Sequence, residues 1–173
     1  VVRRYHPLDR LDTWGMGTVV DSAHSAAVPI PVLLIPPLMV RPFIFDLTEQ
    51  RSYVRTLLGA GFDVFLVDFG VPDAGDTKVS LDDYVLNWMP QAVDAVCATS
   101  GASSVSMIGY CQGGLFGLMH VAANEDKRVA NIVTIGTPID TDKMGILVWL
   151  LRNTHDQVDF VSRRMGNVPG EVS

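Results

Sequence analysis

Cysteine is scarce. With two in 173 residues, Cys97 and Cys111, no disulfide framework can form, and a reducing compartment is expected. Basic residues are also few, 13 against 19 acidic for a net charge of −6, and they form no long run. That balance excludes nucleic acid as a partner. Arg3-Arg4 and Arg163-Arg164 read as solvated ends rather than a phosphate patch. Near the C-terminus the longest strictly apolar run, Ile146 to Leu151, is far too short to span a bilayer, and no secretory signal is visible. Repeats and low-complexity tracts are absent, and no Cys/His spacing suggests a metal. What remains is a chain that is 48% hydrophobic, enough for one core with strands covered on both faces.

The apolar runs and their punctuation give the order of elements. Pro31 to Ile35 is a buried strand closed by Pro36-Pro37. Leu47 to Ala60 has helical spacing and ends among glycines, Asp63 to Asp68 is a second strand, and Ser80 caps a helix to about Thr99. Cys97 falls in that helix as a small core residue. Val105 to Ile108 is the third strand, Gln112 to Asn124 its helix, and Asn131 to Gly136 the fourth strand. Met16 to Asp21 is a candidate edge strand. Strands alternating with helices predict an α/β fold with a mostly parallel sheet and flanking helices. From Gly145 the pattern changes, so residues 1–144 are read as the core and 145–173 as the start of a helical cap. Opening on Val1 and stopping on Glu171-Val172-Ser173, the chain is expected to be a fragment, its sheet incomplete at the C-terminus.

One segment carries chemistry: Gly109-Tyr110-Cys111-Gln112-Gly113-Gly114, between a strand and a helix. A strand, a sharp turn bearing one nucleophile and then a helix make the nucleophile elbow of α/β hydrolases, here with Cys for Ser. The glycines let strand and helix approach closely. Cys111 sits at a helix N-terminus, where the partial positive charge favours a thiolate. In this architecture one oxyanion donor is the backbone N–H of Gln112 and the other comes from the loop after the first strand, with Met39 the best single choice. Taken alone, Pro36-Pro37 reads equally well as a plain strand terminator.

A base is harder to find, since the acid and the histidine follow the nucleophile on downstream loops in this architecture. His120 lies in the elbow helix facing away from the turn and reads as structural. His6 and His24 precede the sheet, and His155 sits in the expected cap as a solvent-facing residue. Asp140 and Asp142 could supply an acid in a variant arrangement, although capping the next helix is the simpler role. The catalytic Asp and His are therefore expected to be missing from this chain.

Several segments together resemble the polyhydroxyalkanoate (poly-3-hydroxybutyrate) synthases. They are Pro36 to Leu47 (PPLMVRPFIFDL), Phe65 to Asp73 (FLVDFGVPD), Leu81-Asp82-Asp83-Tyr84, the Gly109 to Gly114 box and Gly136 to Asp140 (GTPID). Val40 stands where the family commonly has Asn, and Phe69 where it commonly has Trp; both bear on substrate positioning rather than on reaction class. The box alone is less specific, because dienelactone hydrolases carry a similar Cys elbow. The resemblance implies an acyltransferase that loads the acyl group of (R)-3-hydroxyacyl-coenzyme A on Cys111 and passes it to the hydroxyl of a growing polyester chain. It implies no cofactor beyond that thioester substrate. Association with synthase subunits and a place in the cytoplasm, at a polyester granule surface, complete the expectation. A Cys-dependent hydrolase and a non-catalytic truncated partner domain remain as alternatives.

Overall fold

A computed structural model of the chain describes residues 1–5, 30–143, 145 and 153. Two compact units are present, Val1–Phe69 with Leu81–Thr137, and Gly70–Ser80 with the stretch from Pro138. In chain order the first unit contains β1 (Val2–Arg4), β2 (Val32–Ile35), the short strands β3 (Asp46–Thr48) and β4 (Arg51–Ser52), α1 (Tyr53–Gly59) and β5 (Val64–Val67). After Leu81 come α2 (Met89–Ser100), β6 (Val105–Tyr110), α3 (Gln112–Asn124) and β7 (Val129–Ile135).

Five strands form one sheet in the order β1-β5-β2-β6-β7. The pairings of β2 with β5, β2 with β6 and β6 with β7 are parallel, and only β1 runs antiparallel. This is the mostly parallel sheet with flanking helices that the alternating pattern predicts. Every residue of β2 (VLLI) and β5 (VFLV) is buried, as a strand covered on both faces requires. Successive side chains point to opposite faces, so each strand feeds two cores. Leu33, Ile35, Phe65 and Met107 pack on one face with Met89, Ala92, Val93 and Val96 of α2 and Phe116 of α3. Val32, Leu34, Val64, Leu66 and Ile108 pack on the other with Phe45 and Val54.

The helical spacing of the buried α2 residues points one apolar stripe at the sheet, and Gly101, at φ 73°, ends the helix in the left-handed conformation. The helical run begins at Leu81, directly after Ser80, and passes through a π-helical stretch, Asp83–Trp88, before α2. Tyr84 and Trp88 from that stretch meet Phe69 and Phe116, with Tyr84 stacked on Phe116 at 5.3 Å.

Three expectations change. The helix predicted over Leu47 to Ala60 begins only at Tyr53, because Asp46–Thr48 and Arg51–Ser52 pair antiparallel instead. Ser52 Oγ accepts from the Arg55 amide at 2.9 Å and fixes the helix start there. Second, the observed edge strand is β1; Met16 to Asp21 lies outside the described residues, as do His6, His24, His155, Arg163-Arg164 and all of the expected cap but Gly145 and Asn153. Third, Arg3 and Arg4 are not a free tail: they lie in β1 and are ion-paired, Arg3 while still exposed. Arg4 grips Asp63 through Nε at 2.9 Å and Nη2 at 2.8 Å, with its guanidinium 5.5 Å from the Phe65 ring centroid, and Arg3 pairs with Asp68. Those pairs, with the Tyr5 amide on the Val64 carbonyl at 2.9 Å, hold β1 against β5. Desolvation, reinforced by Asp46, pushes the Tyr5 hydroxyl up to about 12. In the second unit, Asp73 Oδ1 accepts from the Gly75 amide at 2.6 Å and caps a 3-10 turn, Ala74–Lys78.

Beyond the end of α3, Arg128 locks the turn into β7. It donates to Asp126 through Nε at 2.9 Å and Nη2 at 2.8 Å, and also to Asp94 of α2. Those Arg128 hydrogen bonds hold the Asp126 carboxyl down at about 2, against the opposing effect of burial. Asp in an unfolded chain titrates near 3.9. Between about pH 4 and about 2 the unfolded chain therefore takes up a proton that the folded protein refuses, and stability falls as pH drops through that window. Asp126→Asn is expected to flatten that part of the stability–pH curve measured by urea unfolding. An unchanged slope would assign the acid loss to other groups.

Candidate active site

β6 delivers the chain into the elbow and α3 leaves it, with Cys111 between them at φ 52°, ψ −122°. A non-glycine residue in that region carries about 1–3 kcal/mol of strain, and it persists only where the surroundings over-determine it. Three glycines supply the surroundings. A Cβ on Gly109 would overlap the backbone of Gly114 and lie 2.7 Å from the Gly113 carbonyl carbon. On Gly113 it would overlap the Ile35 carbonyl oxygen and come within 2.9 Å of that of Pro36. On Gly114 it would overlap the hydroxyl of Thr137. The first turn of α3 thus rests on β2 and β6 backbone to backbone.

Hydrogen bonds then fix the turn. The Cys111 amide donates to the Ile135 carbonyl at 2.8 Å, while the Cys111 carbonyl accepts from the Gly114 amide at 3.0 Å and from Thr137 Oγ1 at 3.1 Å. Cys111 is half-buried, and both it and Cys97 are free thiols. Burial pushes the Cys97 thiol up, as suits a packing residue rather than a nucleophile.

Gln112 opens α3, so its amide belongs to the first turn, whose N–H groups have no intrahelical acceptor. Its side chain reaches the loop after β2, where Oε1 accepts from the Leu38 amide at 3.2 Å. Pro36 and Pro37 have no N–H to give, and Leu38 is committed to Gln112. Met39, 84% exposed, follows in the same turn with the next amide of that loop. Cys111, Gln112 and the Met39 loop are therefore brought into one arrangement.

The histidine in the described residues is spoken for. His120 is 0% exposed and lies about 12 Å along the helix axis from Gln112, on 1.5 Å of rise per residue. Its Nε2 lies 3.2 Å from the Asp126 carboxylate and its Nδ1 lies 3.0 Å from Asn124 Nδ2. Asn124 Nδ2 also reaches the Val85 carbonyl in the π-helical stretch at 3.3 Å. His120 is structural, as its place in the helix predicts. Asp140 pairs with Lys143 at 3.2 Å beside a 3-10 turn, Thr141–Lys143, that also holds the exposed Asp142. Among the described residues no cluster of three or more His, Cys, Asp or Glu side chains could hold a metal, and no helix is long and apolar enough to cross a membrane. Sequence reasoning missed the Gln112 side chain and Thr137. Their partners lie 74 and 26 positions away, so only the folded chain reveals them.

Residues 44–161 match the family model described as alpha/beta hydrolase fold. Among curated proteins, the poly(3-hydroxyalkanoate) polymerase subunit PhaC of Thiocystis violacea is 39% identical over 142 residues, 82% of this chain and 39% of its own length. The subunit of the same name from Allochromatium vinosum is 38% identical, covering 84% of this chain and 41% of its own length. That of Synechocystis sp. is 37% identical, covering 83% and 39%. The chain therefore spans about two fifths of the length of these relatives. Among solved structures, a lipase-esterase related protein from Clostridium acetobutylicum has a TM-score of 0.54 at 15% identity, over 84% of this chain and 57% of the other. A Bacillus licheniformis lipase in mature form gives 0.51 at 17%, over 69% and 45%. At these identities the two structures bear on fold alone.

The elbow contact is testable by adding a single methyl group. Gly113→Ala drives a Cβ into the β2 backbone, which cannot yield, and is expected to cost about 1–3 kcal/mol or more. At Gly117 the same Cβ would meet only Ile35 Cδ1 at 3.4 Å and Met107 Sδ at 3.7 Å. There the gain in helix propensity, up to about 1 kcal/mol, is expected to leave stability unchanged or raised. Equal thermal midpoints for the two variants would count against a backbone-to-backbone elbow.

Proposed function

The chain belongs to the α/β-hydrolase fold family, and we propose that it is the nucleophile-bearing part of a polyhydroxyalkanoate polymerase. The observation that carries this reading is a cysteine at the strained elbow position; identity of 37–39% to polymerase subunits supports it. In the proposed reaction the Cys111 sulfur attacks the thioester carbon of a (R)-3-hydroxyacyl-coenzyme A. The carbon–sulfur bond to coenzyme A breaks, and the proton leaving Cys111 ends on the departing thiol. A chain-end hydroxyl then attacks the Cys111 thioester carbon and forms an ester, the carbon–sulfur bond to Cys111 breaks, and the hydroxyl proton ends on the Cys111 sulfur. Exchange of one thioester for another is nearly isoenergetic, so the enzyme-bound acyl group stays reactive, whereas an ester on Ser would be a poorer donor. Each attack puts negative charge on the carbonyl oxygen, and the amides of Gln112 and Met39 are the proposed donors to it.

The base and its orienting acid belong, in this reading, to the part of the longer protein that the chain does not span. His120 cannot serve while it is bound to Asp126 and Asn124. Association with synthase subunits and residence in the cytoplasm, at a granule surface, belong to the same proposal.

The test uses hydroxybutyryl-coenzyme A and follows thiol release. The complete protein is expected to release coenzyme A and build polyester, Cys111→Ala in the complete protein to do neither, and the 173-residue chain alone to show no turnover. Turnover surviving Cys111→Ala would sink the acyl-enzyme reading. Release of free hydroxyacid in place of polymer would make the protein a hydrolase. Coenzyme A release by the chain alone would mean that it carries its own base.

A further inference from the structure

We infer that Thr137 aims the oxyanion amide: by holding the Cys111 carbonyl, its hydroxyl sets the direction of the Gln112 N–H. The inference rests on the acyl-transfer reading above, but its geometry does not. The carbonyl of Cys111 and the N–H of Gln112 belong to one peptide unit. That unit is planar and trans, so the two groups point in opposite directions, and whatever fixes one fixes the other. The Cys111 carbonyl accepts from Thr137 Oγ1 at 3.1 Å and from the Gly114 amide at 3.0 Å. A carbonyl oxygen can only accept, so the Thr137 hydroxyl must donate to it.

The Gly114 bond joins residues three apart in the same turn and moves with it. Thr137 brings its restraint from outside, two residues beyond the end of β7, and so ties the peptide plane to the sheet. The peptide on the other side of Cys111 is held from the same place, since the Cys111 amide donates to the Ile135 carbonyl at 2.8 Å. Gly136, at φ 60°, turns the chain between the two contacts. The end of β7 thus grips both peptide planes that flank a nucleophile with strained torsions. Gly114 leaves the space for this, because a Cβ there would overlap the Thr137 hydroxyl. Thr137 is a positioning residue: it acts on the oxyanion through the Gln112 amide.

The test compares Thr137→Val, which keeps the shape and loses the donor, with Thr137→Ser, which keeps the donor. Loss of one whole oxyanion donor costs about 10²–10³ in kcat. Misaiming that donor in the complete protein is expected to lower kcat for coenzyme A release about ten- to a hundredfold, with KM unchanged. Thr137→Ser is expected to stay within about twofold of the parent. Iodoacetamide alkylation of Cys111 supplies the control, because substitution at its saturated carbon develops no oxyanion, and its rate is expected to be the same in all three proteins. If Thr137→Val fails to fold, Thr137→Ala carries the same expectation. The inference fails if the donorless variant keeps kcat within about twofold, if Thr137→Ser falls as far as Thr137→Val, or if alkylation slows along with turnover. Turnover that survives Cys111→Ala would instead remove the acyl-transfer reading, and this inference with it.

Discussion

Helix α3 meets the sheet with backbone instead of side chains in its first turn. An ordinary helix-on-sheet contact keeps the two backbones a side chain apart. Here Gly113 lies against the Ile35 carbonyl and Gly114 against Gly109. That approach makes the turn so tight that Cys111 has no relaxed conformation available, and it settles at φ 52°. Further along α3, Phe116 packs into the core on one face of the sheet, so the helix cannot lift to relieve the turn without opening that core. Strain of about 1–3 kcal/mol at one residue is modest beside the several kcal/mol that burial of such aromatic and aliphatic side chains contributes.

The same contact organises the groups around the sulfur. Because α3 touches β2 directly, the loop leaving β2 is within reach of the first residue of the helix, and Gln112 holds that loop with its side chain while its backbone opens the first turn of α3. The two prolines of the loop matter as missing donors as much as stiff residues. At the other side, β7 and the turn that follows it place Ile135 and Thr137 on the two polar groups of Cys111 itself. A site built this way depends little on the side chains that sequence motifs advertise and heavily on where amides and carbonyls point.

That difference explains which features were legible in the sequence. β2, β5 and β6 announce themselves as short apolar runs because burial on both faces leaves no room for alternation. The elbow is visible because its steric demand can be met by glycine alone. By contrast, β1 is three residues long and contains Arg3 and Arg4, so it looks like a solvated tail. Its partners Asp63 and Asp68 are 59 to 65 positions away. The start of α1 is not legible locally, because Leu47 and Tyr53 fit a helical period while the capping hydroxyl of Ser52 decides the boundary. Thr137 gave no signal beyond its place after a strand, since a single hydroxyl acting on a distant carbonyl leaves no local pattern.

The two edges of the sheet differ in chemistry. At one side stands β1, short, antiparallel and studded with arginines, a strand that discourages another from adding beside it. At the other stands β7, seven residues long, parallel to its neighbour, with none of its residues fully buried and Val133 47% exposed. Among the described residues the sheet is thus asymmetric: arginine side chains shield the β1 edge, while β7 keeps a row of backbone donors and acceptors to which a further strand could pair.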